Sequence, residues 1–142
     1  MSESYILIVG CGRLGSLLAE RLSTDENSIV VIDMDETAFE KLPGTFSGFT
    51  VLGDATELSV LEHANIDKAD YLFVVTEDDN TNLMIAQVAR EIFEVPNVMA
   101  RVFDPRREAL YSEFRIATVC PTKLSAQAFL DGLAKAPTSQ PA

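Results

Sequence analysis

The stretch Tyr5–Asp33, YILIVGCGRLGSLLAERLSTDENSIVVID, decides how the rest of the chain is read. An apolar run, Tyr5–Val9, leads into Gly10, Gly12 and Gly15. An amphipathic segment with Leu14, Leu17, Leu18 and Leu22 follows, and a second apolar run, Ile29–Ile32, closes on Asp33. Strand, tight turn, helix, strand, acid is the order of a phosphate-binding βαβ unit. Each glycine answers a separate need: the first allows the turn, the second leaves room for a pyrophosphate, and the third lets helix and strand pack closely. A helix opening in such a loop aims unpaired N–H groups and the positive end of its dipole at one spot, which receives an anion. Asp33 stands eighteen positions after Gly15, close to the roughly 20 expected for a carboxylate on the ribose hydroxyls.

The remainder repeats the alternation. Glu36–Leu42 is helix-compatible and ends at Pro43-Gly44, and Phe49–Leu52 is extended and ends at Gly53-Asp54. Thr56–Ala64 reads as a helix, with Leu58, Leu61 and Ala64 three apart. Tyr71–Val75 is an unbroken apolar strand, as expected where both faces of a parallel sheet are covered. Asp78 and Asp79 offer N-caps for a long helix, Asn80 to about Phe93. Val98–Phe103 is a fifth strand, Arg106–Phe114 a helix opened by Pro105, Ala117–Cys120 a sixth strand, and Thr122–Ala136 a final helix capped by Thr122 or Ser125. Six strands alternating with helices through right-handed crossovers make an α/β domain. Its sheet is the Rossmann-like doubly wound parallel kind, order 3-2-1-4-5-6, with a C-terminal crossover helix. Residues 1–136 form one domain, and the tail 137–142, PTSQPA, is expected to fray.

Composition narrows the partners. The 142 residues carry 22 acidic and 11 basic side chains, a net charge of −11, which disfavours nucleic acid and anionic lipid. No apolar run nears the ~20 residues that span a bilayer, and the N-terminus lacks a secretory signal, so a cytoplasmic location without membrane insertion is expected. Cys11 and Cys120 are read as free thiols of a reducing compartment.

Several side chains carry two readings each. Arg13 opposes the dipole of the helix it opens, which suits a nearby phosphate, or it is a solvated surface arginine. Asp33 holds ribose hydroxyls or caps the following turn. It is followed by Met34-Asp35 with no cation, which makes NADP a poor candidate. Asp54 bonds an adenine amino group or caps a helix. Arg101, inside an apolar strand, needs a partner: a bound phosphate, or else Asp104, Glu113 or Glu77. The acids Asp33, Asp35, Asp54, Glu77, Asp78 and Asp79 gather at strand ends but match no metal-ligand spacing, and His63 is read as a surface or packing residue. In the last helix Leu124, Phe129, Leu130 and Leu133 spread around the circumference. That points to burial against a second copy of the chain, or to a groove of its own domain. No substrate-binding region or catalytic acid accompanies the nucleotide fold, so the chain reads as a binding module and not an enzyme.

The segments GCGRLG (Gly10–Gly15), VIDMDE (Val31–Glu36), VLGDAT (Val51–Thr56), DDNTNLM (Asp78–Met84) and ARVFDP (Ala100–Pro105), with the helix after CPTKLSA (Cys120–Ala126), carry a resemblance. Together they resemble the RCK or KTN nucleotide-binding regulatory domain of potassium channels and transporters. The resemblance implies a cytoplasmic regulatory subunit that binds NAD(H) or an adenine nucleotide (ATP, ADP or AMP) and gates a membrane-embedded potassium transporter or channel. It also implies a homodimer or ring in which the final helix packs between protomers. By the same resemblance the loop glycines Gly10, Gly12 and Gly15, with Arg13, hold phosphates and Asp33 the ribose, and Cys11, Leu14 and Met34 are further cofactor-binding residues. Asp54, Ala55 and Thr56 surround adenine, and Thr76 and Arg101 lie toward the phosphate or nicotinamide. The alternative is an NAD-dependent oxidoreductase or redox sensor whose substrate site comes from another chain.

Overall fold

The computed structural model describes residues 3–135; the tail 137–142 lies outside them. Six strands, β1 (Ser4–Val9), β2 (Asn27–Asp33), β3 (Phe49–Leu52), β4 (Tyr71–Val74), β5 (Asn97–Arg101) and β6 (Ala117–Val119), form one sheet in the order β3-β2-β1-β4-β5-β6. Every pairing is parallel, with Ile8 of β1 facing Val31 and Phe73 on either side. The expected fold class and strand order are those observed.

Four α-helices lie between strands, α1 (Arg13–Leu22), α2 (Leu58–His63), α3 (Asp79–Glu91) and α4 (Glu108–Glu113), and a fifth, α5 (Pro121–Lys135), follows β6. Alternation along β1 splits the core in two, because successive side chains leave a strand on opposite faces. Leu7, Val9, Val30, Ile32, Leu72 and Val74 pack with Leu61, Ile85, Ala86, Ala89 and Tyr111 of α2, α3 and α4. Ile6, Ile8, Ile29 and Val31 pack with Ala19, Leu14 and Leu18 of α1 and with Ala38 and Phe39 of a 3-10 turn, Glu36–Lys41.

The chain moves one way across the sheet from β1 to β3 and the other way from β4 to β6. Right-handed crossovers therefore put the two sets of helices on opposite faces. One consequence departs from expectation. The strand Tyr71–Val75 is not covered on both faces: Tyr71 is exposed and Phe73 half-buried. On the α1 face Phe73 sits level with Met99, and Arg101 level with Val119, all four only half-buried beside a hollow that Leu14 and Leu18 of α1 border on one side. An apolar run reports hydrophobicity on both sides of a strand, but not whether the chain itself supplies the cover.

Other boundaries shift for identifiable reasons. Asp54 accepts the Thr56 amide and hydroxyl, so a turn precedes α2, which starts at Leu58 instead of Thr56. β5 stops at Arg101, short of Phe103, because the Asp79 carboxylate takes the amides of Phe103 and Asp104 at 2.8 and 3.1 Å. The helix expected over Arg106–Phe114 divides into a 3-10 turn, Pro105–Arg107, and α4. The last helix starts at Pro121, a first-turn position that needs no amide donor. Thr122 does not cap it: its hydroxyl donates to Phe103 O at 3.2 Å. Asp78 caps α3 through the Thr81 amide at 2.8 Å, as its position suggests.

Candidate functional site

The loop after β1 shows why each glycine is there. Gly10 has φ +107°, and a Cβ on it would lie 2.9 Å from Val75 O. A Cβ on Gly15 would come within 1.8 Å of Gly10 O, so the loop folds back on the first turn of α1. At Gly12 a Cβ meets nothing within 4 Å, and Gly12 lines the cleft itself. The first two are fixed by the fold; the third leaves space in the cleft. Gly12 is the N-cap of α1, and the first amide of its ladder is Ser16, bonded to Gly12 O at 2.9 Å. The amides of Arg13, Leu14 and Gly15 are those a helix start leaves without intrahelical partners.

Two hollows meet at this loop. A cleft of about 880 Å³ is lined by Gly10, Cys11, Gly12, Arg13, Asp33, Asp35, Ala38, Lys41, Val75, Thr76, Glu77, Arg101 and Phe103. A slot of about 150 Å³ lies beside it, with Ile32, Met34, Gly53, Asp54, Ala55, Thr81 and Ile85 in its wall. Gly10, Asp33 and Thr76 belong to both. Of the sequence candidates, Leu14 turns its side chain to a third, apolar hollow with Leu18, Phe73, Val75, Met99, Ala100 and Val119. Gly15 lies under the loop, and Thr56 sits behind Asp54 as its hydrogen-bond donor. The remaining candidates line one hollow or both.

Asp33 ends β2 with both oxygens engaged: Oδ2 accepts the Cys11 amide at 2.7 Å and Oδ1 the Asp35 amide at 2.9 Å. The turn-capping role is thus present, and each oxygen retains a second lone pair for a hydroxyl donor. The Thr56 hydroxyl and amide hold the Asp54 carboxyl below its ordinary value, and Thr37 does the same for Asp35. The Cys11 thiol is fully buried. Burial, and then the nearby Asp33 carboxylate, push its pKa up, so it packs as an inert group.

Arg101 takes none of the carboxylate partners considered for it. Its Nη2 donates to Val75 O at 2.6 Å and Thr76 O at 2.9 Å, and its guanidinium carbon stands 4.6 Å from the Phe103 ring centroid. Nε is buried and has no partner among the described residues. Burial lowers its pKa, with Glu77 and Asp79 opposing that. A guanidinium nevertheless stays charged at any neutral pH. The spare Nε donor and the open space at Gly12 are what an elongated anionic ligand requires of this cleft.

Sequence order hid other residues. Lys41, eight positions beyond Asp33, returns to the cleft through the 3-10 turn and puts a cation near Asp35. Phe103 and Glu77 close the far end, and Thr81 and Ile85 of α3 wall the slot. The absence of a cation directly after Asp33 was the visible signal; the return of Lys41 was not. His63 is exposed on α2, and no group of three or more His, Cys, Asp or Glu among the described residues is placed to hold a metal.

A doubly wound parallel sheet with a glycine loop at its switch point and an acid on the next strand defines a Rossmann-type nucleotide-binding domain. The TrkA-N domain family matches residues 6–121, and the chain belongs to that family. It is 40% identical over 126 residues to the Trk system potassium uptake protein TrkA of Streptomyces coelicolor, covering 89% of this chain and 56% of that protein. The chain spans about half the length of the curated relatives it matches. Among solved structures, the TrkA-N domain of the inner membrane protein ybaL from Escherichia coli superimposes with a TM-score of 0.82 at 26% identity, over 92% of this chain and 96% of that one. GsuK bound to ADP does so with a TM-score of 0.77, also at 26% identity, over 93% of this chain and 34% of that one.

Proposed function

We propose that this domain binds an adenine nucleotide and reports its occupancy to a membrane-embedded potassium transporter or channel subunit. The observation that carries the reading is the junction of slot and cleft at Gly10, Asp33 and Thr76. A nucleoside phosphate has the same plan: a flat base, a sugar with paired hydroxyls, then an anionic chain. The base enters the slot between Met34, Asp54 and Ala55. The ribose reaches Asp33, and the phosphates meet the amides at the start of α1 with Arg13. A dinucleotide or longer phosphate chain extends toward Thr76 and Arg101. Support also comes from the relative bound to ADP and from the potassium-uptake relatives. NADP remains the weaker candidate, because Asp33 and Asp35 confront a 2′-phosphate with no cation directly after them in the chain.

The second half of the reading is a homodimer in the cytoplasm. α5 leaves Leu124, Phe129, Leu130 and Leu133 between 59% and 80% exposed, each worth roughly 1.5–3 kcal/mol if fully buried. The apolar hollow on the open sheet face is a matching surface. The root of α5 is fixed beside the cleft, Thr122 to Phe103 O and Lys123 Nζ to Glu108 Oε1 at 2.9 Å. A ligand that moves Phe103 therefore moves the helix. It shifts the assembly only by its difference in affinity between two shapes.

Thermal stabilisation against ATP, ADP, AMP, NAD, NADH, NADP and GTP tests the reading. Adenine nucleotides raise the midpoint in a concentration-dependent way and GTP does not. No shift with any of them, or an equal one with GTP, overturns it.

A further inference from the structure

We propose that Asn82, a side chain with no solvent exposure, is the positioning residue that sets the far half of the cleft; the inference rests on the nucleotide reading above. Asn82 lies one turn into α3 and touches neither hollow, so it contacts no ligand. A buried carboxamide has four hydrogen bonds to make, and this one makes all four. Its Oδ1 accepts the Thr76 amide at 3.1 Å and the Thr76 hydroxyl, and its Nδ2 donates to Thr76 O at 3.1 Å and Arg101 O at 2.9 Å. Both Nδ2 partners are carbonyl oxygens, which fixes the orientation of the amide.

Those partners lie on two separate segments, the loop after β4 and the end of β5. Arg101 itself adds a second tie, its Nη2 returning to Val75 O and Thr76 O, and, two residues on, the Asp79 carboxylate takes the Phe103 and Asp104 amides. Thr76 is thus held from the α3 side by Asn82 and from the other side by the guanidinium. Cutting the Asn82 bonds loosens Thr76 and the β5 end that carries Arg101 together, while Asp33 and the Cys11 amide it accepts have no bond to Asn82. The half of the cleft that meets base, ribose and first phosphate is disturbed only at Thr76 on its border; the half beyond it loses the frame of Thr76 and Arg101 together.

A ligand confined to the near half and one that reaches the far half should therefore respond differently. AMP and NAD are the probes. The Asn82→Asp variant keeps the size and the accepting oxygen but points a second oxygen at the carbonyls of Thr76 and Arg101. Calorimetry should show NAD weakened tenfold or more with AMP changed less than threefold. Leu61→Ala, a cavity under α2, supplies a comparable loss of stability and should leave the NAD-to-AMP ratio alone. The wild type gives a second readout that needs no variant: the Asn82 side-chain NH2 resonances move on NAD and much less on AMP. An unchanged ratio in Asn82→Asp, an equal loss for both ligands, or equal resonance shifts with both overturns the inference alone. Wild-type protein that binds neither ligand overturns the nucleotide reading and this inference with it.

Discussion

The Cys11 amide donates to the Asp33 carboxylate at 2.7 Å, so the glycine loop after β1 and the acid that ends β2 form one hydrogen-bonded unit. The remaining oxygen of Asp33 accepts from Asp35, which fixes the turn toward Lys41 as well. Hydrogen bonds to a charged acceptor contribute about 1.5–3 kcal/mol when sheltered, and less at a half-buried residue such as this one. Asp33→Ala should therefore cost about 1–3 kcal/mol of folding stability and also abolish the stabilisation by ATP or NAD. Urea unfolding with and without nucleotide checks both. An unchanged midpoint dismisses the tether, and a preserved nucleotide effect places the ribose elsewhere.

The glycine loop separates folding from binding within six residues. Gly12 has φ −86°, open to any residue, and a Cβ there meets no protein atom within 4 Å. Gly12→Val should cost no more than about 1 kcal/mol, that of a poorer N-cap, yet bind no nucleotide by calorimetry. Gly15→Ala forces a methyl group to within 1.8 Å of a carbonyl oxygen and should cost about 1–3 kcal/mol or more through overpacking. The reverse pattern, a stable Gly15→Ala beside an unstable Gly12→Val, defeats the assignment of their roles.

What the chain alone makes legible follows the range of the interactions. The unit from Tyr5 to Asp33 is read correctly because its turn, its helix opening and its closing acid are local, and the strand order follows from crossover handedness. Asp79 shows the limit. By position it is a helix cap, but the cap is Asp78, and Asp79 reaches across to the amides of Phe103 and Asp104, shortening β5. Asn82 looks like any polar residue of a surface helix, and only the fold takes it out of water. The open half of the sheet is invisible for a related reason: Phe73 and Met99 are apolar whether the cover comes from their own chain or another.

Tyr111 makes alkaline stability a measure of how α4 is docked. Its ring is fully buried, and its hydroxyl donates to the carbonyl of Asp79 at the start of α3. Burial pushes the phenol up to about 12, with Asp79 adding to the rise and Arg107 opposing it. The folded pKa exceeds the unfolded value near 10. The contribution is therefore complete below pH 10 and is lost as pH rises through about 12. Tyr111→Phe leaves the Asp79 carbonyl without this donor and should cost about 1 kcal/mol at pH 8. Urea midpoints of wild type and variant, followed from pH 8 upward, should converge above pH 10. Parallel curves across that range count against the docking role.

The last helix tests assembly. In a single chain α5 buries nothing: Phe129 is 80% exposed and Leu133 75%. A glutamate at either position meets no neighbour in the monomer, so monomer stability should change by less than about 0.5 kcal/mol. Within a dimer the same carboxylate is pressed into an apolar interface without a partner, where an unpaired charge costs several kcal/mol. Wild-type protein should therefore sediment as a dimer at micromolar concentration and Phe129→Glu as a monomer with an unaltered circular dichroism spectrum. Leu14 and Met99 line the hollow that would receive the helix, so Met99→Glu, on the receiving surface, should break the dimer as effectively. A monomeric wild type removes the dimer outright. A Phe129→Glu variant that stays dimeric while Met99→Glu dissociates moves the interface off the helix and onto the sheet face alone.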